Sequence, residues 1–121
     1  MTQRTITSWV EVPVTNMEKS VKFYNEVFGY DMTIDNSGPN PMAVFGGVMA
    51  AGGGHLYPGK PSPDSGSTVH LAIEGSLEAG MERVTKAGGQ VVSPIVEIPD
   101  GRFVYAKDLD GNSIGLFAEK A

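Results

Sequence analysis

The chain of 121 residues contains no cysteine, which excludes a disulfide framework, a thiolate nucleophile and a cysteine-ligated metal. Its 9 basic residues are outnumbered by 14 acidic ones, so the clustered positive charge typical of nucleic-acid binding is missing. No apolar run approaches the roughly 20 residues that a membrane-spanning helix requires. The composition therefore predicts a cytoplasmic protein whose partners are neither nucleic acids nor membranes.

Glycine and proline, in contrast, are plentiful, with 16 and 8 copies. They recur between short apolar stretches, a pattern that is typical of short strands joined by turns. The chain length suits one domain with one hydrophobic core. The sequence therefore favours a strand-rich single domain over residues 1–121.

One pattern occurs twice along the chain. Residues 8–29 read as an alternating strand, a capped amphipathic helix and a glycine that ends it, and residues 68–89 repeat this order. The offset is about half of the chain, with Val14 corresponding to Ile73. Such internal repetition indicates two copies of one unit, which would form a cleft where they face each other.

The first copy has a clear helix signal. Thr15–Glu18 has the pattern of a capping box, and Met17, Val21, Tyr24 and Phe28 then follow at helical spacing. This stripe is interpreted as core rather than as a cofactor-binding surface. Further strand candidates are residues 30–34, 42–45 and 54–57 in the first copy. In the second copy they are residues 90–92 together with 95–98, then 103–106 and 113–117.

These elements together predict an α+β fold. Each copy is a βαβββ module, the first at about residues 5–57 and the second at about residues 67–118. Residues 58–66 are rich in proline and turn formers, which cannot continue a strand ladder, and are predicted to link the modules. The two modules are expected to face each other across a cleft.

Short motifs at fixed spacing carry a family resemblance. They are Pro13–Met17, Phe23–Tyr24, Val27–Gly29, Gly53–Gly54, Ala87–Gly89 and Asp108–Leu116. In their order and spacing the chain resembles the vicinal oxygen chelate superfamily, which includes glyoxalases, extradiol dioxygenases, fosfomycin-modifying enzymes and bleomycin-sequestering proteins. It is most similar to short bacterial members described as glyoxalase-like or bleomycin-resistance-like. The resemblance implies a pair of βαβββ modules whose mixed sheets curl around a central cleft, and a small-molecule ligand.

The resemblance also implies where metal ligands would lie. The cleft-facing positions that hold the ion in metal-dependent members fall on Trp9, Thr68 and Gly115, and a fourth falls near Gly54–His55. The first three cannot act as the usual ligands, and a catalytic ion ordinarily needs at least three protein ligands. The usual metal site is therefore predicted to be absent, with no cofactor, which disfavours glutathione-dependent lyase and extradiol dioxygenase activity.

Glu11 and His70 occupy equivalent places in the two modules, one strand period beyond the lost ligand positions. Modules related by a pseudo-twofold axis would bring these side chains together across the cleft. One hypothesis is that Glu11 orients His70, which acts as a catalytic general base. The alternative is that the two residues only neutralise each other or face solvent at the mouth of the cleft.

His55 is the other histidine of the chain. With Glu11 and His70 it could complete a two-histidine, one-carboxylate set for a divalent metal such as Fe(II), Mn(II) or Zn(II). Alternatively it is an ordinary strand residue, because a one-residue slip in the glycine run before it would turn it to the other face.

Trp9 and Phe117 are candidate substrate-binding residues, together with His55. An indole at the cleft mouth and a phenyl ring near the end of the last strand would hold a planar or cationic ligand by stacking and cation–π contact. Trp9 could equally fill a shrunken cleft or cover a dimer contact.

Two classes of function remain open. One is a lyase or isomerase that uses Glu11 and His70, or an atypical metal, and the other is a binding protein similar to the drug-sequestering branch. The missing metal ligands favour binding, whereas the pairing of Glu11 with His70 favours catalysis. A homodimer is expected in either case, because relatives commonly complete their clefts across a twofold axis.

Overall fold

The computed structural model describes residues 9–47, 53–62 and 65–119. The start of the predicted first module (residues 5–8) and part of the predicted linker (63–64) lie outside these ranges. The helices are α1 (Met17–Phe28) and α2 (Leu77–Lys86). The strands are β1 (Trp9–Val14), β2 (Ala43–Val44), β3 (Gly53–Pro58), β4 (Val69–Ala72), β5 (Gln90–Val91), β6 (Val96–Ile98), β7 (Gly101–Lys107) and β8 (Ser113–Glu119).

The strands form two sheets, one of three strands and one of five, that share the pairing of the first strand of the module with its last. The first sheet has the order β1-β3-β2, and the second has the order β4-β8-β7-β5, with β6 also paired to β7. In each sheet the first strand of the module is parallel to its last strand, and the remaining pairs are antiparallel. This arrangement confirms the predicted α+β fold and shows the sequence repeat in the strand order of both sheets.

The strand predicted at residues 30–34 is not formed. The described chain there makes only an isolated bridge between Asp35 and Met42. The side chain of Asn25 explains the difference, because it accepts a hydrogen bond from the Met32 amide at 2.8 Å and donates one to the Met32 carbonyl at 3.3 Å. Backbone groups that a side chain has satisfied no longer need a neighbouring strand.

The start of α1 also differs from the predicted capping box. Asn16, not Thr15, is the N-cap, and its Oδ1 accepts a hydrogen bond from the Lys19 amide at 2.9 Å. Thr15 is engaged elsewhere, since its hydroxyl donates to the Asp110 carboxylate at 2.5 Å. Gly29 then ends the helix with a φ of 72°, a left-handed conformation that glycine adopts without steric cost.

The core lies between the helices and one face of each sheet. The apolar stripe of α1 is buried as predicted, apart from Met17, which is half-buried. Val84 of α2 and Leu116 of β8 are fully buried in the same cluster. Burial of one such side chain contributes about 1.5–3 kcal/mol, so this cluster supplies the main driving force for folding.

A turn of the second module is hydrogen-bonded to the first module. The buried carboxylate of Asp108 accepts a 2.7 Å hydrogen bond from the Tyr24 hydroxyl of α1. The side-chain amide of Asn112 donates to the Pro13 carbonyl of β1 at 2.7 Å and to Asp108 Oδ2 at 3.0 Å. The turn between β7 and β8 therefore fixes the position of β1 relative to the second sheet.

A second tie joins the two helices. Arg83 of α2 donates from Nε to the Val27 carbonyl at the end of α1, at 2.9 Å. The four last carbonyl groups of a helix have no partner within it, and a cation is favourable there. Among the described residues, neither helix has the length and apolar composition needed to span a membrane.

Candidate functional site

A cleft of about 750 Å³ lies where the two sheets meet. β1 and β4 are the terminal strands of their sheets, and both border this cleft together with the segment that connects the modules. The lining residues are Trp9, Val10, Glu11, Val12, Pro13, Lys60, Ser62, Ser65, Gly66, Ser67, Thr68, Val69, His70, Asn112 and Ser113. A volume of this size accommodates a small organic molecule.

The β1 wall carries three polar side chains in contact. The parallel register of β1 and β3 places Glu11 opposite His55, and Trp9 lies two residues before Glu11 on the same face. The Trp9 indole N–H donates a 2.8 Å hydrogen bond to His55 Nδ1. His55 Nε2 lies 3.4 Å from Glu11 Oε2.

The burial of these side chains differs sharply. His55 is buried, with 11% of its side chain exposed, whereas 65% of the Glu11 side chain is exposed. Glu11 and Trp9 therefore line the cleft, whereas His55 lies behind them. The Coulomb energy of the Glu11–His55 contact is small, because an exposed partner is screened by water.

The β4 wall presents His70. Its imidazole makes edge-to-face contact with Phe103 and tilted contact with Tyr105, at centroid distances of 5.1 and 5.6 Å. His70 is opposite Gly115 in the register of β4 and β8. A side chain at Gly115 would overlap the imidazole, so the glycine gives the ring its space.

The predicted pairing of Glu11 with His70 is not formed. Both residues line the cleft, but Glu11 contacts His55 and His70 packs on Phe103 and Tyr105. The register of β1 with β3 brings Glu11 to its neighbour within the sheet, about 4.8 Å away between strands, rather than to the opposite module.

The three residues of the atypical metal set are also not assembled. Within residues 9–47, 53–62 and 65–119, no group of three histidine, aspartate or glutamate side chains is placed to hold a metal ion. Two family ligand positions carry other hydrogen bonds. Thr68 shares a 2.5 Å hydrogen bond with Ser113, and the lone pair of His55 Nδ1 already accepts from Trp9.

Phe117 lies apart from the Trp9 wall. It is half-buried, pairs with Ala72 and Phe103 in the second sheet, and does not line the cleft. The structure instead adds Asn112 and Lys60, which the sequence analysis did not single out. The signal for Asn112 was the Asp-Gly turn just before it, whereas Lys60 had none, because it lies in a linker without periodicity.

Comparisons with known proteins place this geometry in a family. The sequence model of the Glyoxalase/Bleomycin resistance protein/Dioxygenase superfamily matches residues 6–116. The protein CFP32 of Mycobacterium tuberculosis (strain CDC 1551 / Oshkosh) is 30% identical over 118 residues, which cover 91% of this chain and 44% of that protein. The chain thus spans less than half the length of this curated relative.

Solved structures share the fold. A glyoxalase/bleomycin resistance protein from Albidiferax ferrireducens T118 is similar with a TM-score of 0.73 and 22% identity, over 96% of this chain and 100% of that one. TnmS3, an antibiotic binding protein from Streptomyces sp. CB03234, is similar with a TM-score of 0.64 and 24% identity, over 99% and 100%. With its repeated sheets and the family match over most of its length, the chain belongs to the Glyoxalase/Bleomycin resistance protein/Dioxygenase superfamily.

Proposed function

We propose that this chain binds a small organic molecule in the cleft between β1 and β4, without the metal ion that many members of the superfamily use. The observation that carries the proposal is the cleft itself, about 750 Å³ in volume, with Trp9, Glu11 and His70 on its walls. The similarity to an antibiotic binding protein supports binding as the function.

The walls indicate what kind of molecule fits. Glu11 presents an exposed carboxylate, Lys60 contributes a cation from the linker, and serine and threonine hydroxyls surround them. The N–H of Trp9 is already used by His55, so the indole offers a ligand its ring rather than a donor. A planar molecule with a cationic or N–H group and additional polar substituents satisfies these groups best.

The donor set supports the loss of the family's metal site. At the implied ligand positions, Trp9 provides a donor instead of a lone pair, Gly115 provides no side chain, and the hydroxyl of Thr68 is bonded to Ser113. A divalent ion needs three or more free lone pairs from protein groups. These residues do not fit such an ion, and the proposed binding does not use one.

Trp9 fluorescence provides the test, because it is the single tryptophan of the chain. A panel of planar aromatic compounds in matched cationic and neutral forms is titrated against the wild type. Glu11→Gln is expected to weaken binding of the cationic compounds about tenfold, as expected for a hydrogen bond to a charged group. Glu97→Gln, an exposed site away from the cleft, is the matched control. Saturable binding that is insensitive to Glu11→Gln and His70→Gln would place the ligand elsewhere and contradict the proposal.

A second candidate function is proton transfer on the bound molecule by a lyase or isomerase. The observation that favours it is the carboxylate–imidazole contact of Glu11 with His55, at 3.4 Å, on the cleft wall, with His70 on the other wall. Glu11 or His70 would act as the base toward an acidic C–H. Incorporation of deuterium from D2O into a bound compound, lost in Glu11→Gln or His70→Gln, distinguishes this function from binding alone.

The proposed assembly is a homodimer. His70, Phe103 and Tyr105 form a cluster of rings on the second sheet, and Tyr105 and Ile98 are 37% and 39% exposed. Aromatic residues of this kind are enriched in the buried centres of protein interfaces. A second copy of the chain would cover this face and complete the cleft.

A cytoplasmic location stays a prediction from the composition.

A further inference from the structure

The contact between Trp9 and His55 determines where the imidazole carries its proton. The indole nitrogen is a donor only, and it lies 2.8 Å from His55 Nδ1. Nδ1 must therefore accept through its lone pair. In a neutral imidazole the single proton then lies on Nε2.

The other ring nitrogen is directed at Glu11. Nε2 lies 3.4 Å from Glu11 Oε2, which is longer than the roughly 2.7–3.2 Å of a formed N–H···O bond. The carboxylate thus lies near the Nε2 proton but does not form a short hydrogen bond with it. Tyr57, the second aromatic group beside His55, packs edge-on at a centroid distance of 6.3 Å and supplies only ring contact.

We propose that Trp9 sets the tautomer of His55, so that the Nε2 proton faces Glu11 and keeps the carboxylate as the acceptor on the β1 wall. Trp9 and His55 are then positioning residues that act through Glu11. Because Nδ1 is occupied and Nε2 is protonated, His55 itself is not the base of this cleft. The carboxylate of Glu11 would then contact an N–H or O–H donor or a cation of the ligand. This statement about the ligand rests on the proposed function.

The composition of the chain makes this proposal directly testable by NMR. The chain has one tryptophan and two histidines, so His70→Gln leaves His55 as the single imidazole. In 15N-labelled, ligand-free protein, long-range proton–nitrogen spectra of the neutral imidazole are expected to show Nε2 protonated and Nδ1 bare. Protonation at Nδ1 would overturn the proposal. The measurement uses no ligand, so its outcome is independent of whether the cleft binds a molecule.

Two substitutions separate the indole N–H from the aromatic packing. Trp9→Phe keeps a ring but removes the donor, and the His55 signals are expected to move to an average of the two tautomers. Tyr57→Phe is the matched control, because it alters an aromatic neighbour that makes only ring contact, and it is expected to leave the tautomer unchanged. If Trp9→Phe retains the wild-type tautomer, Glu11 alone sets it and the proposal is wrong.

The indole signal gives a second readout from the other partner. His55→Leu removes the acceptor and places an apolar side chain of similar size at this buried position. The indole proton is expected to exchange with water roughly tenfold faster, the factor that corresponds to a hydrogen bond of ordinary net strength. An unchanged exchange rate would show that the Trp9–His55 bond does not form in solution. Should Trp9→Phe fail to fold, the indole exchange in His55→Leu still tests the Trp9–His55 bond, and protonation at Nδ1 in His70→Gln would still overturn the proposal.

Discussion

The hydroxyl of Tyr24 and the carboxylate of Asp108 form a buried hydrogen bond of 2.7 Å that joins the helix of one module to a turn of the other. Burial raises the pKa of Tyr24 well above its ordinary value of 10.0, and the nearby Asp108 carboxylate raises it further. The phenol therefore stays protonated in the folded protein at a pH where it ionises in the unfolded chain. The contribution of this hydrogen bond to the free energy of unfolding is thus fully present below about pH 10.

Tyr24→Phe is expected to lower the free energy of unfolding by about 2 kcal/mol at neutral pH, because it removes a buried hydrogen bond to a charged group. Denaturant unfolding measures the change. Wild-type stability should fall as the pH rises above about 10, since the unfolded state then binds fewer protons than the folded state.

The slope above pH 10 should be shallower in Tyr24→Phe than in the wild type. A remaining slope is expected from Tyr30, whose pKa is raised by burial. Tyr105→Phe, which removes an exposed hydroxyl, is the control. Equal slopes in wild type and Tyr24→Phe would show that Tyr24 is not the buried phenol responsible.

Gly115→Ala is expected to displace His70 from its contacts with Phe103 and Tyr105, because the new methyl group would overlap the imidazole. His70 is exposed, so its ring can swing away and the loss of stability should stay below about 1 kcal/mol. The His70 ring protons should lose the shifts caused by the two aromatic rings, which NMR measures.

Gly101→Ala is the informative comparison for that substitution. There the added methyl group would meet the backbone carbonyl of Ala118, which cannot rotate away. Its cost should exceed that of Gly115→Ala by about 1 kcal/mol or more. A similar loss of stability in both variants would contradict the view that only the side chain of His70 opposes a residue at position 115.

Asn112→Ala is expected to destabilise the protein by about 1–3 kcal/mol, because the Pro13 carbonyl and Asp108 Oδ2 each lose a donor. Since Asn112 also lines the cleft, the Trp9 emission should shift as β1 loses its tie to the second module. Asn36→Ala, in an exposed loop, serves as the control. A stable variant with unchanged emission would show that the turn does not position β1.

Tyr105→Glu is expected to yield a monomer if the aromatic face of the second sheet is the dimer interface. Two carboxylates brought together in an apolar interface cost several kcal/mol, whereas one carboxylate on an exposed sheet face costs little. Light scattering after size exclusion gives the mass. Glu97→Gln controls for the loss or gain of surface charge, and a Tyr105→Glu protein with the mass of the wild type would exclude this face.

The sequence was sufficient to predict the elements that depend on the local periodicity of apolar residues. The repeated alternation and helical spacing predicted both helices, the equivalence of β1 with β4 and the two-sheet plan. The strand predicted at 30–34 failed because the Asn25 side chain binds the Met32 backbone, a contact that hydrophobic periodicity does not encode.

The candidate site was only partly predictable for a related reason. Alternation fixes which face a strand residue occupies, and Trp9, Glu11 and His70 lie on strands that border the cleft. The partner of Glu11 depends on the register between strands far apart in sequence, and that register placed His55 opposite it. The hydrogen bond from Asn112 in the β7–β8 turn to Pro13 joins the two modules, and no repeat in the sequence reveals it.

Glu11 lies opposite His55 in the first sheet, and His70 lies opposite Gly115 in the second. These two pairs bear on the orientation of a molecule in the cleft. The two pairs occupy corresponding positions of duplicated modules, yet one wall offers an exposed carboxylate backed by an imidazole and the other an imidazole packed among aromatic rings. The two strand pairs have the same parallel arrangement, but the two walls of the cleft differ in chemistry. A molecule with two unlike ends would therefore meet two inequivalent orientations in the cleft.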